Sequence, residues 1–266
     1  MREWGLTLRQ PATTEVDILI ETTYSKTTGV RNEHRLNLMK KHFGLSVLLV
    51  GFIGILFFST LRAPSQDSLF YVKADLGGNL TQDTDLKQFF GPVIPGSKVK
   101  FDPGVRFGLA GGYHVTDWFA AEAELGALAN RIDSITGAVR VDAGFANVPF
   151  LVNARLQWPH ECPCRLSPYI GGGVGGAASV LYADHIVLNG IRIDGTSSDA
   201  VFAYQAFGGL RFKLTDNMGL SLEYRYFATD SPTFGARRVG PGIFSDQIRF
   251  GGAQTHSLSL AFDFHF

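Results

Sequence analysis

Two cysteines among 266 residues are too few for a disulfide framework, and their spacing in ECPCR, Cys162 and Cys164, fits neither a four-ligand zinc site nor a CxxC redox motif. They read as turn residues. The 31 glycines include no GxxxxGK[ST] loop, so the usual phosphate cradle is missing. Formal charge is zero and charged residues make up 18%, which leaves no basic field to attract nucleic acid. Only one apolar run is long, FGLSVLLVGFIGILFF at 43–58, and it falls short of the about 20 residues a spanning helix needs. No metal, nucleotide or other cofactor motif is present, and we expect no cofactor.

That run has the length of a signal-peptide core instead. Met39-Lys40-Lys41-His42 supplies its basic start, and Ala63-Pro64-Ser65 places small residues for cleavage after Ser65. Residues 39–65 are therefore expected to be a signal peptide. The polar stretch 1–38 precedes a methionine that already opens a complete signal, so we take it as a mis-assigned or extended N-terminus. The mature domain is expected to span 66–266.

Glycine and the 22 phenylalanines, with few charges, suit closely packed strands better than helices. Past Gln66 the dominant period is two. LFYVKADLGG from Leu69 sets Phe70, Val72, Ala74 and Leu76 against Lys73 and Asp75. VRFGLAGGYHV from Val105, FAAEAELGALA from Phe119 and VPFLVNARLQW from Val148 alternate likewise. So do PYIGGGVGGAASVL from Pro168, FAYQAFGGLRFKL from Phe202, GLSLEYRYF from Gly219 and HSLSLAFDFHF from His256. These are eight strands. Their connections alternate between short turns, around Thr116, 159–167 and Thr215, and long loops at 79–100, 132–141, 182–198 and 230–254. That rhythm describes an up-and-down meander with both ends on the short-turn side. Within the third loop Asn189-Gly190, between two apolar triplets, signals a hairpin.

The alternating faces tell which side is inside. Lys73, Arg106, Arg155, Arg211 and Arg225 share the polar face with Asp75, Glu122, Glu124, Glu223 and Asp263, five charges of each sign, interleaved with glycine and serine. Ions taken out of water must be paired, and a narrow interior needs small residues beside long ones. The other face carries Leu, Val, Phe and Ala, with Tyr113, Trp118, Trp158, Tyr169, Tyr224 and Tyr226 toward strand ends as girdle residues. The apolar face therefore meets lipid. Lipid offers the backbone no hydrogen bonds, so the sheet must close. The expected fold is all-β, an eight-stranded antiparallel up-and-down transmembrane β-barrel in a bacterial outer membrane. The interior charges are expected to pair as Arg225 with Glu223, and Arg106 with Glu122 or Glu124.

PYIGGGVGGA at 168–177, AFGGLRFKLTDNMGLSLEYRYF at 206–227 and the closing HSLSLAFDFHF resemble the small outer-membrane barrels of the OmpA transmembrane-domain and OmpX type. The resemblance covers about Leu69 to Phe266. It implies that Leu258, Leu260, Phe262, Phe264 and Phe266 form the signal read by the barrel-assembly machinery. No peptidoglycan-binding domain follows Phe266, so cell-wall tethering is not carried over.

Three functions are weighed. A structural and surface-interaction barrel would have a charge-plugged interior, since eight strands leave room for little more than side chains. Its long loops would meet an extracellular ligand. A narrow porin-like channel or small-solute transporter would use space left by the glycines of 171–176 and the loop aromatics Phe89 and Phe90. A lipid-modifying enzyme would need a Ser–His pair on the outer wall, but His256 and Ser257 are strand neighbours and point to opposite faces. The first is preferred: not an enzyme, a monomer, with outer-membrane lipid and the assembly machinery as partners and no nucleic acid.

Overall fold

The computed structural model describes residues 69–89, 93–158, 165–188, 191–235, 238–239 and 247–266. The N-terminal stretch 1–38, the expected signal peptide 39–65, Phe90, Cys162, Cys164 and the expected Asn189-Gly190 turn lie outside them. Thirteen strands occur among the described residues: β1 (Phe70–Thr81), β2 (Thr84–Phe89), β3 (Lys98–Phe101), β4 (Gly104–His114), β5 (Phe119–Ile135), β6 (Ala138–Gln157), β7 (Leu166–Leu188), β8 (Ile191–Lys213), β9 (Met218–Thr229), β10 (Thr233–Gly235), β11 (Arg238–Val239), β12 (Gln247–Phe250) and β13 (Gln254–His265).

Eight of them close a ring. Going round, β1, β4, β5, β6, β7, β8, β9 and β13 each pair antiparallel with the next, and β13 returns to β1 with Leu76 opposite Leu260 and Tyr71 opposite His265. No edge is left open, as a sheet in hydrocarbon requires. Two short turns share one device. In 115–118 and 214–217 a threonine hydroxyl accepts from the first amide of the following strand, Phe119 N to Thr116 Oγ1 at 3.0 Å and Met218 N to Thr215 Oγ1 at 3.1 Å.

Burial runs inside out. Leu76, Phe150 and Leu260 are 66%, 63% and 58% exposed, whereas Arg106 and Glu223 are fully covered. Tyr169 departs from the expected side. It is buried, because Ile170 and Val174 take the outward parity of β7 and a girdle position for Tyr169 would turn both inward.

The connections expected as four long loops at the other end are, among their described residues, largely strand. Residues 132–141 are the tips of β5 and β6, joined through Thr136 and Gly137, whose φ of +84° suits a glycine turn. Strands β7 and β8 remain paired out to Leu188 and Ile191, the flanks of the expected hairpin. Short β3, β2, β12 and β10 add in turn beside β5. A second apolar core forms here, joining Ile132, Ile135, Phe145, Leu181 and Ile186 of the barrel strands to Leu86, Phe89, Val99, Phe234, Ile248 and Phe250. Phe89 is thus a core residue and not the lining of a passage.

The glycine strand packs closely against β6. A Cβ on Gly175 would collide with the Phe150 carbonyl oxygen and stand 3.0 Å from Leu151 Cα, whereas one on Gly176 would meet only Val201 O at 3.7 Å. Gly175→Ala is therefore expected to destabilise the barrel by about 1–3 kcal/mol, the usual cost of overpacking, and Gly176→Ala to cost well under that. Urea unfolding of the two variants side by side checks this; equal midpoints would contradict it.

Candidate functional site

The candidate site is the barrel interior, and strand alternation builds it: every second residue of eight strands points inward. Among the ten charged residues read from the sequence, nine are buried inside the barrel and Arg211 is partly covered near the short-turn end. They come from β1, β4, β5, β6, β8, β9 and β13.

Glu124 and Glu223 are the two hubs. Glu124 accepts from Arg225 Nη1 at 2.6 Å, Arg106 Nη2 at 2.5 Å, and Asn153 and Gln205 at 2.8 Å each. Glu223 accepts from Arg225, from Lys73 at 3.2 Å and from the Tyr169 hydroxyl at 2.9 Å. Glu122 and Asp75 join these hubs through Lys73 and Arg106. Lys73 also reaches Glu122 at 3.4 Å, Tyr71 donates to Glu122 at 2.5 Å, and Arg106 Nε donates to Asp75 at 2.9 Å. Arg106 pairs with Glu124 and not with Glu122, while Arg225 pairs with Glu223 and also with Glu124.

Aromatic rings add to the solvation of the cations. Arg155 lies 4.0 Å from the Tyr169 ring centroid and 3.5 Å from Glu122; Lys73 and Arg225 sit 5.1 and 4.7 Å from the Phe207 ring. Toward the short turns Arg211 donates twice to Asp263, and the rings of Tyr71, His114 and His265 stack against one another. Tyr71, Tyr169, Phe207, Asn153 and Gln205 were absent from the sequence-based network. Parity alone could have found Tyr71, which shares a face with Lys73 and Asp75, and the uncharged Asn153 and Gln205 stood on the polar face already.

Further toward the loop end the inner face changes character. Leu128, Leu151, Ala177, Ala203 and Phe227 pack as an apolar layer, and beyond it Thr81, Asn79 and Asn130 form a neutral hydrogen-bonded girdle with Thr255. Ions, hydrocarbon and amides are thus stacked along one axis. Among the described residues no group of His, Cys, Asp or Glu is arranged to hold a metal.

Of the closing segment, Leu258, Leu260 and Phe262 point outward on β13 between inward Ser257, Ser259 and Asp263; Phe264 shares their parity but is buried. Phe266 donates its amide to Phe70 O at 2.9 Å and stacks on the Phe70 ring, joining the last strand to the first.

A closed antiparallel ring with a greasy exterior and a paired-ion interior defines a transmembrane β-barrel of the bacterial outer membrane. The comparisons agree. Residues 51–266 match the outer membrane protein beta-barrel domain, and the chain belongs to that family. Among solved structures, the outer membrane protein OprG from Pseudomonas aeruginosa is similar at a TM-score of 0.51 and 13% identity, over 76% of this chain and 100% of that one. Neisserial surface protein A aligns at a TM-score of 0.43 and 15% identity, over 77% of this chain and 100% of that one. Ail of Yersinia pestis aligns at 0.35 and 11%, over 73% and 98%. At 13% identity the likeness to OprG concerns fold alone, and nothing is argued from the other two. Among curated proteins none matches.

Proposed function

We propose that this outer-membrane barrel is a sealed, non-catalytic surface protein. It stands as a monomer in outer-membrane lipid, is inserted by the barrel-assembly machinery through its last strand, and presents the end that carries its long connections to an extracellular ligand. The observation that carries the reading is Arg225, which spans the interior from Glu223 on its own strand to Glu124 on β5. A guanidinium fixed between two buried carboxylates leaves no free counter-ion to lead a solute through, and the apolar layer of Leu128, Leu151 and Phe227 stands beyond it.

A catalytic reading finds no support on the outer wall. His256 bonds Tyr224 and Gln82, while Ser257 points inward, so the two do not form a nucleophile and base. In planar bilayers the purified barrel is expected to give no stable large conductance. A steady open level of porin size would refute the seal and favour the channel reading.

A further inference from the structure

The outward apolar band has a legible upper border. On β1 Leu80 is followed at the next outward position by Gln82; on β5 Ala129 gives way to Arg131 and Asp133, on β7 Tyr182 to Asp184, and on β13 Leu258 to His256 and Gln254. His256 and Gln82 therefore sit where hydrocarbon ends, on the side of the long connections, which outer-membrane barrels turn to the cell exterior.

Just below them the wall has a recess. One cross-strand row reads Val105, Gly78, Leu258, Tyr224, and Gly78 leaves a gap in it. The groove measures about 350 Å³, with Gly78 and Gly104 at its floor, Leu80 and Leu258 beside it, and Tyr224 and His256 at its polar end.

The hydrogen bonds at that end leave one donor over. The Gln82 amide nitrogen can only donate, so His256 Nε2, 2.8 Å away, accepts. With Nε2 accepting, the ring proton is on Nδ1, which donates to Tyr224 Oη at 2.6 Å. The Tyr224 hydroxyl proton remains, with no acceptor among the other described side chains, at the edge of the wall that meets lipid. An unmatched hydroxyl facing hydrocarbon costs free energy, and an oxygen acceptor removes the cost. The Tyr226 ring, 5.3 Å from His256, closes the flank.

We infer that this recess binds one lipid of the outer leaflet, its acyl chain lying over Gly78 and a phosphate or ester oxygen of its headgroup accepting from Tyr224. Only an amphiphile satisfies both ends together: the groove is apolar and lies within the band, while the donor marks its border. A soluble ligand would have no way to the groove, and a second barrel would offer no acceptor at its greasy wall.

The test is native mass spectrometry of the barrel extracted from outer membranes and washed in mild detergent until bulk lipid is gone. The wild type is expected to retain a single phosphorylated lipid. Tyr224→Phe, which keeps the ring and removes the donor, and Gly78→Leu, which fills the groove, are each expected to lower retention at least tenfold. A Cβ at Gly78 meets nothing nearer than Gly104 O at 3.9 Å, so the side chain of the second variant starts into open space. Tyr113→Phe, in the girdle at the short-turn end, is expected to keep the lipid. Heat-dependent gel migration confirms that each variant is folded. Wild-type protein that keeps no lipid, variants that keep it at the wild-type level, or a barrel dimer lost on Gly78→Leu would each overturn the inference.

Discussion

Arg225→Ala is expected to lower the unfolding free energy by about 3–5 kcal/mol, the range for removing one partner of a buried ion pair. The loss is large because the side chain serves three acceptors at once. Its guanidinium donates to Glu223, to Glu124 at 2.6 and 2.7 Å, and to Gln205 Oε1 at 2.6 Å, and it is almost completely covered. After truncation Glu223 keeps Lys73 and Tyr169, and Glu124 keeps Arg106, so both carboxylates stay charged with less compensation. Neutralising Glu124 as well, in Arg225→Ala with Glu124→Gln, should recover part of the loss, since the second change removes the excess negative charge left by the first. Urea unfolding from lipid vesicles, followed by tryptophan fluorescence, measures both. An unchanged midpoint for Arg225→Ala would mean that the network contributes little to stability.

A charge placed on the other face should cost nearly as much for the opposite reason. Leu260→Arg is expected to destabilise the barrel by about 2–4 kcal/mol, the figure for arginine near the bilayer midplane. Leu260 stands midway along the outward side of β13, opposite Leu76 on one neighbour and Leu222 on the other. The same substitution at His256, on the border of the apolar band, should cost about 0–1 kcal/mol, because the guanidinium there reaches the headgroups. The depth dependence is the informative part. Equal costs at the two positions would place the band wrongly along the strand.

The two predictions rest on the part of the molecule that is legible in its sequence. Alternation named both faces of β1, β4, β5 and β9, because long charged and long apolar residues take turns there. On β7, where seven of the eight residues 171–178 are glycine or alanine and carry no sign of their face, Ile170 and Val174 alone mark the outward side, and Tyr169 was set with the girdle although it turns inward. Pairing partners were legible only in part. Arg106 had two carboxylates on the adjoining strand within reach of its inward side, Glu122 and Glu124, and only the register of β4 with β5, which sets Arg106 opposite Leu128, brings Glu124 within 2.5 Å. The loop-end core escaped notice because its strands are three to six residues long, too short for a period to declare itself. Leu86, Val99, Phe234 and Ile248 look like isolated apolar residues in polar loops until pairing gathers them.

The wide sourcing of the interior ions bears on how the chain reaches its final state. Ten charged groups are drawn from seven strands, and Lys73 of the first strand meets Glu223, 150 positions later. A single hairpin entering the bilayer alone would drag uncompensated ions with it, at several kcal/mol apiece. Stepwise threading of strands into hydrocarbon is therefore disfavoured, and neutrality is reached only when the circle is completed. Insertion and closure should thus proceed as one event, with the nascent sheet kept in a hydrated shelter until its last strand finds its first.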